Sequence, residues 1–108
     1  MINYTTPTIS RTLEGVDLTG KEVYATIEQG SVKITKSGED LNVSVEEGNT
    51  TVEFTLTQEE SAMFAPSHPA QLQINWIDEE GVRDASSITS IKVFRNLLNE
   101  VISYNDEI

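Results

Sequence analysis

Along most of this chain apolar residues recur at every second position in short runs broken by glycine-bearing turns, the pattern of strands that bury one face. In 22–28, Val23, Ala25 and Ile27 point one way and Tyr24 and Thr26 the other. Gln29-Gly30 turns the chain into 31–36, with Val32 and Ile34 inward and both lysines outward, which predicts a hairpin with a two-residue loop. The alternation repeats in 41–46 after Ser37-Gly38-Glu39-Asp40. Beyond Glu47-Gly48-Asn49 it continues through Val52, Phe54 and Leu56. These four segments are expected to form one meander.

At 57–64 the period-two pattern stops. Thr57 followed three residues later by Glu60 fits a capping box, and Pro66 and Pro69 keep the helix it opens short. Ala62, Met63 and Phe64 are expected to plug the open end of the sheet pair. Alternation returns in 71–77, with Leu72, Ile74 and Trp76 on one face, then Asp78-Glu79-Glu80-Gly81 turns into a strand over 82–85 and a last one over 88–94. At the front, 8–13 reads as an edge strand, and 15–20 as a loop returning Val16 and Leu18 to the core. About seven or eight short strands, with turn signals roughly every 8–12 residues, favour an all-β antiparallel sandwich or barrel over βαβ units. The domain is expected to span 1–102, with 96–102 a short helix or a strand leaving the body, and 103–108 a frayed acidic tail.

Composition narrows what such a domain can do. The 108 residues suffice for one core and not two, and 37% hydrophobic with 6% aromatic content implies a core of Val, Ile and Leu. Eighteen acidic residues against seven basic ones give a net charge of -11. That favours solubility and disfavours nucleic acid and anionic membranes, since a phosphate backbone is bound mainly by releasing counterions to Lys and Arg. Without cysteine there are no disulfides, thiolate nucleophiles or Cys-ligated zinc. The first residues lack a basic n-region and an apolar h-region, and no run approaches the roughly 20 apolar residues of a membrane helix, so an aqueous, cytoplasmic site of synthesis is expected.

Candidate chemistry is sparse. The single histidine, His68, sits between Ser67 and Pro69 with no orienting carboxylate nearby in sequence, and no nucleophile elbow, P-loop or dinucleotide glycine pattern occurs. The pairs Glu46-Glu47, Glu59-Glu60, Asp78-Glu79-Glu80 and Asp106-Glu107 lie mostly in turns, where acidic residues are ordinary; calcium at 78–80 would need further oxygens. No enzyme, cofactor or metal is expected. Trp76 belongs by its alternation with Leu72 and Ile74 in the core; exposed, it would instead suit a sugar, and a carbohydrate-binding module using Trp76, Tyr24 or Tyr104 is the alternative function. More informative are Leu97, Leu98, Val101 and Ile102, four large apolar residues beyond the last strand. Either they close an end of the sandwich or they form a patch that needs a partner. Ile9, in the edge segment 5–13, is a further candidate contact if that segment adds to a neighbouring chain's sheet.

The run Leu13-Glu14-Gly15-Val16-Asp17-Leu18-Thr19-Gly20, followed by Val23-Tyr24-Ala25-Thr26-Ile27, Leu56-Thr57-Gln58-Glu59-Glu60-Ser61 with Phe64, Gln71-Leu72-Gln73-Ile74-Asn75 and Arg95-Asn96-Leu97-Leu98-Asn99-Glu100-Val101-Ile102, resembles small virion proteins of phages and prophages of Gram-positive and gut bacteria. It is also similar to the amino-terminal β-sandwich domain of upper-baseplate-type proteins, where an Asp-Leu-Thr-Gly loop precedes a strand. The resemblance spans nearly the whole chain and rests on turns and a capped helix. It implies an immunoglobulin-like sandwich acting as a structural or accessory part of a virion, made in the host cytoplasm and present in many copies. Its expected partners are other virion proteins or further copies of itself. It brings no catalytic residues, and it leaves head, neck, tail and baseplate positions open.

Overall fold

The alternating runs become two antiparallel sheets packed face to face. A computed structural model describes residues 1–104. Its strands are Thr8–Leu13 (β1), Glu22–Gln29 (β2), Val32–Ser37 (β3), Asn42–Glu46 (β4), Asn49–Thr55 (β5), Ala70–Ile77 (β6), Arg83–Ala85 (β7) and Thr89–Ile91 (β8). A short helix, Gln58–Ala62 (α1), follows β5, and a 3-10 turn at Gly38–Asp40 precedes β4. One sheet has the order β1-β5-β4. The other runs β3-β2-β6-β7, with β8 on the same edge of β6 as an interrupted continuation of β7. Taking β1 as strand B and counting onward through C, C′, D, E and F to a broken G, the order is B-E-D against C′-C-F-G, the immunoglobulin arrangement without strand A.

Each sheet's inner face is the apolar half of an alternating run. Val23, Ala25 and Ile27 of β2 pair in register with Trp76, Ile74 and Leu72 of β6, and Ile9 of β1 with Phe54 of β5; all are buried. Leu18 returns to this core because the Thr50 hydroxyl, itself fully buried, donates to Val16 O at 2.7 Å and accepts from Leu18 N at 3.1 Å. Fully burying a Leu, Ile, Val or Phe is worth about 1.5–3 kcal/mol relative to exposure, so the inner faces dominate the fold's stability. Arg11 occupies an inner-face position between Ile9 and Leu13 and sends its guanidinium out at the rim. There Nη1 donates to Ser86 Oγ at 2.9 Å and Nη2 to Ser87 Oγ at 3.0 Å, tying one sheet to the β7–β8 corner of the other.

Several expectations are corrected. The four segments do not form one meander: β2–β3 and β4–β5 are separate hairpins in different sheets, because Gly38–Asp40 carries the chain across the sandwich. The β4–β5 connection is tight, with Glu47 and Gly48 both in the left-handed region at φ 52° and 77°, as such two-residue loops require. All of β4 is exposed, Val43 and Val45 included, since it overhangs at the sheet edge. The run 88–94 is a strand only over Thr89–Ile91; Ile88 is exposed, and Phe94 instead forms an isolated parallel bridge with Ile2. Segment 96–102 is neither helix nor strand. Of the proposed plug, Phe64 is buried and Met63 half exposed. The expected tail at 103–108 falls, from residue 105 onward, outside the described residues.

Candidate interaction surface

Beyond β8 the chain crosses the end of the sandwich as an irregular arm held at two points. The first is Asn3, a buried residue whose neighbours in sequence are polar or exposed. Main-chain bonds from Phe94 N to Met1 O at 2.7 Å and from Asn3 N to Phe94 O at 3.0 Å lay residues 1–3 beside the end of the last strand. The Asn3 carboxamide then accepts from Asn96 N at 3.0 Å and donates to Phe64 O at 3.3 Å, and Asn96 Nδ2 donates back to Asn3 O at 3.1 Å. The second is Gln58 at the start of α1, which bonds both main-chain groups of Ile102.

The helix that presents Gln58 is itself anchored on three sides. Thr57 and Glu60 form the expected capping box, Glu60 N donating to Thr57 Oγ1 at 3.1 Å and Thr57 N to Glu60 Oε1 at 2.9 Å. Lys36 of β3 donates to both Glu60 oxygens at 2.9 and 2.8 Å. Burial alone raises the Glu60 carboxyl's pKa, but the Lys36 ammonium and the Thr57 N–H outweigh it and hold the group below its ordinary value. Ser61, fully buried, donates to Thr5 O at 2.6 Å and accepts from Thr5 N at 3.0 Å, fastening the amino-terminal segment to the helix.

Between these anchors the arm presents apolar side chains to solvent. Leu97 is 85% exposed, Leu98 50%, Val101 46% and Ile102 54%. They neither close the sandwich nor pack with the core, whose members stop at Val93. Met63 and Leu97 both line an open cleft of about 460 Å³, together with Tyr4, Pro66, Arg95 and Asn99. Tyr4 holds φ at 60°, a region in which a bulky side chain costs about 1–2 kcal/mol.

The candidate residues therefore divide. Leu97, Leu98, Val101 and Ile102 are all exposed on the one arm, whereas the Ile9 side chain is corrected: it faces the second sheet and is buried at 8% exposure, so any contact made at β1, which stands at the edge of its sheet, falls to the main chain. Sequence reasoning missed Ile2, Met63 and Phe94, exposed at the same end, because each lies in a segment that patterning assigns inward or leaves unassigned. Trp76 is buried on β6. His68 lies in an exposed loop, its Nδ1 2.9 Å from Ser67 Oγ, with no carboxylate bonded to its other nitrogen among the described residues. Asp78 Oδ1 accepts from Glu80 N and Val82 N, each at 2.9 Å, which makes 78–82 a side-chain-closed turn. Among the described residues no three His, Asp or Glu side chains converge on a point that could hold a metal. No protein-family model matches the chain, and no curated protein matches it.

Proposed function

We propose that this chain is a protein–protein assembly module, a structural or accessory component of a phage particle that docks through its carboxyl-terminal arm. The observation that carries the reading is the row Leu97, Leu98, Val101 and Ile102, exposed on a segment without regular structure yet pinned at Asn96 and Ile102. Exposed apolar side chains of this size are costly in water, and fully burying each of them in a partner is worth about 1.5–3 kcal/mol. Pinning also lowers the ordering entropy lost on docking. The phage setting rests on the resemblance carried by 13–20, 23–27, 56–61 with Phe64, 71–75 and 95–102. Its partners are other virion proteins or further copies of this chain, and its place is the virion.

Two measurements test this reading. Mass spectrometry of purified particles from the encoding phage or prophage is expected to detect the chain, and its absence removes the virion role. Light scattering of the pure protein, alone and with particle proteins, is expected to show an assembly that Leu97→Ser combined with Ile102→Ser abolishes without lowering the melting temperature. An assembly indifferent to that double change removes the arm.

A further inference from the structure

The β1-β5-β4 sheet ends at β1 in an edge that no other described strand pairs with. We propose that this edge accepts the arm of a second copy of the chain as an added antiparallel strand, with Thr8, Ser10 and Thr12 opposite Ser103, Val101 and Asn99. The inference rests on the arm as the docking segment and names what it docks to. Pro7 O accepts from Leu56 N at 3.0 Å, one step beyond the Thr8–Thr55 pair, so the bonded pairs of the β1–β5 ladder are Ile9–Phe54, Arg11–Val52 and Leu13–Thr50. Thr8, Ser10 and Thr12 therefore turn their N–H and C=O groups away from β5, and among the described residues these groups have no main-chain partner there.

The other sheet edges are blunted by charge or by brevity. β3 carries Lys33 and Lys36, β4 runs into Glu46-Glu47, and β7 and β8 are three residues each. β1 is six residues long, without proline or lysine, and its single charge, Arg11, takes an inner-face position. That charge selects among incoming strands. Arg11 is bonded to neutral groups of Ser86 and Ser87 and forms no ion pair among the described residues, so a strand laid beside it gains from a carboxylate in the same row. The same edge borders an open cleft of about 470 Å³, lined by Arg11, Leu13, Val16 and Trp76, which the inward side chains of an added strand can enter; Glu14 and Asp84 line it too, without pairing with Arg11.

The arm matches that edge in one register. Antiparallel to β1, with Val101 opposite Ser10, it sets Leu98 beside Leu13, Glu100 beside Arg11 and Ile102 beside Ile9 on the inner face, and Asn99, Val101 and Ser103 in the hydroxyl row outside. Glu100 makes no ion pair of its own among the described residues. A slip of one residue moves Glu100 to the outer face, opposite Thr12 or opposite Ser10 and near Glu53, and loses the match to Arg11. Gln58 already holds Ile102 through both main-chain groups, as a strand would. Successive residues of an extended chain turn those groups to opposite edges, so Val101 and Ser103 offer theirs on the side away from Gln58, where a neighbour's β1 can meet them. Residues 1–13 and 85–99 contain no Asp or Glu, so most of the carboxylates behind the net charge of -11 lie outside the contact, which removes the main obstacle to self-association. Donor and acceptor are different parts of the chain, so the contact is heterologous and repeats from copy to copy into a ring or a filament.

A peptide of residues 95–104, capped at both ends, titrated into the full Leu97→Ser, Ile102→Ser chain and followed by NMR tests the site. Saturable binding is expected, with shifts and slowed amide exchange at Thr8, Ser10 and Thr12. N-methylation of the peptide at Val101 removes a ladder bond and is expected to weaken binding about tenfold, whereas N-methylation at Glu100, whose N–H points away from β1, leaves it unchanged. The Glu100→Lys peptide is likewise expected to bind about tenfold more weakly. In the parent chain Ser10→Pro removes an N–H that serves no bond to β5, and light scattering should then show a monomer whose β2 and β6 amide signals are retained; the peptide measurements do not depend on that variant folding. No saturable binding, shifts centred on β3 or β4, or equal binding of the Val101 N-methylated or Glu100→Lys peptide would each overturn the proposal. Assembly lost on Leu97→Ser with Ile102→Ser but kept on Ser10→Pro would also overturn it while leaving the arm's docking role intact, so the two readings fail separately.

Discussion

Gln58 and Ile102 are joined as two strand residues would be: Gln58 Nε2 donates to Ile102 O at 2.7 Å, and Ile102 N donates to Gln58 Oε1 at 3.0 Å. A side-chain carboxamide thus substitutes for a neighbouring backbone and holds the arm without a strand. Each such bond is worth about 0.5–1.5 kcal/mol net, so Gln58→Ala is expected to raise amide exchange at Ile102 roughly tenfold while leaving exchange in β2 and β6 unchanged. Chymotrypsin cleavage after Leu98, between the two anchors, should accelerate in parallel. An Ile102 amide protected equally in both proteins would show that something else holds the arm.

Arg11 makes the second long-range tie. Replacing it with Met keeps an apolar stem at the rim and removes the bonds to Ser86 and Ser87. The expected cost is about 1–3 kcal/mol, read as a lower urea midpoint at unchanged slope. Ser87→Ala should cost less, because Ser86 Oγ and the Ser87 carbonyl still accept from the guanidinium. Equal stability of Arg11→Met and the parent would mean that the tie contributes nothing in water.

How far these features can be read from sequence depends on the kind of signal. Alternation in Val23-Tyr24-Ala25-Thr26-Ile27 states which residues share a face, because the side-chain period is set by the backbone, and those inner faces are as expected. It carries no information on which sheet a strand joins. The crossing at Gly38–Asp40, and with it the exposure of Val43 and Val45, therefore goes unseen. The capping box is local and legible. Asn3, Gln29, Thr50 and Ser61 are buried polar residues that look like surface positions in sequence, and each has a partner thirty or more residues away, as with Gln29 Oε1 accepting from Ala65 N at 2.6 Å. The arm's apolar residues were visible; that they stay outside is decided by Asn3 and Gln58, whose roles depend on the folded body.

Thr50 offers the sharpest test of those hidden polar contacts. Thr50→Val is nearly isosteric, so packing is kept while Leu18 N and Val16 O both lose their partner. The expected loss is about 1–3 kcal/mol, with faster exchange at Leu18, whereas Thr50→Ser keeps the hydroxyl and forfeits one buried methyl, about 1 kcal/mol. A Val variant as stable as the parent would place the loop's attachment in Leu18 packing alone.

The Lys36–Glu60 pair makes stability depend on pH in a defined direction. Burial pushes the Glu60 pKa up, but the bonds from Lys36 and Thr57 pull it further down, so the folded-state value lies below the ordinary 4.5. A carboxyl whose pKa is depressed on folding contributes its stability in full above the unfolded value and loses it as the pH falls through the folded one. The stability difference between the parent and Glu60→Gln should therefore be constant above about pH 5 and shrink as the pH is lowered below 4.5. Because the other carboxylates titrate in both proteins, their effects cancel in the difference. Added salt should reduce the plateau only in part, since the Lys36 and Glu60 side chains are 16% and 22% exposed and partly shielded from counterions. A difference that stays flat from pH 7 to the acid transition would mean that Glu60 acts on α1 through its neutral hydrogen bonds and not through its charge.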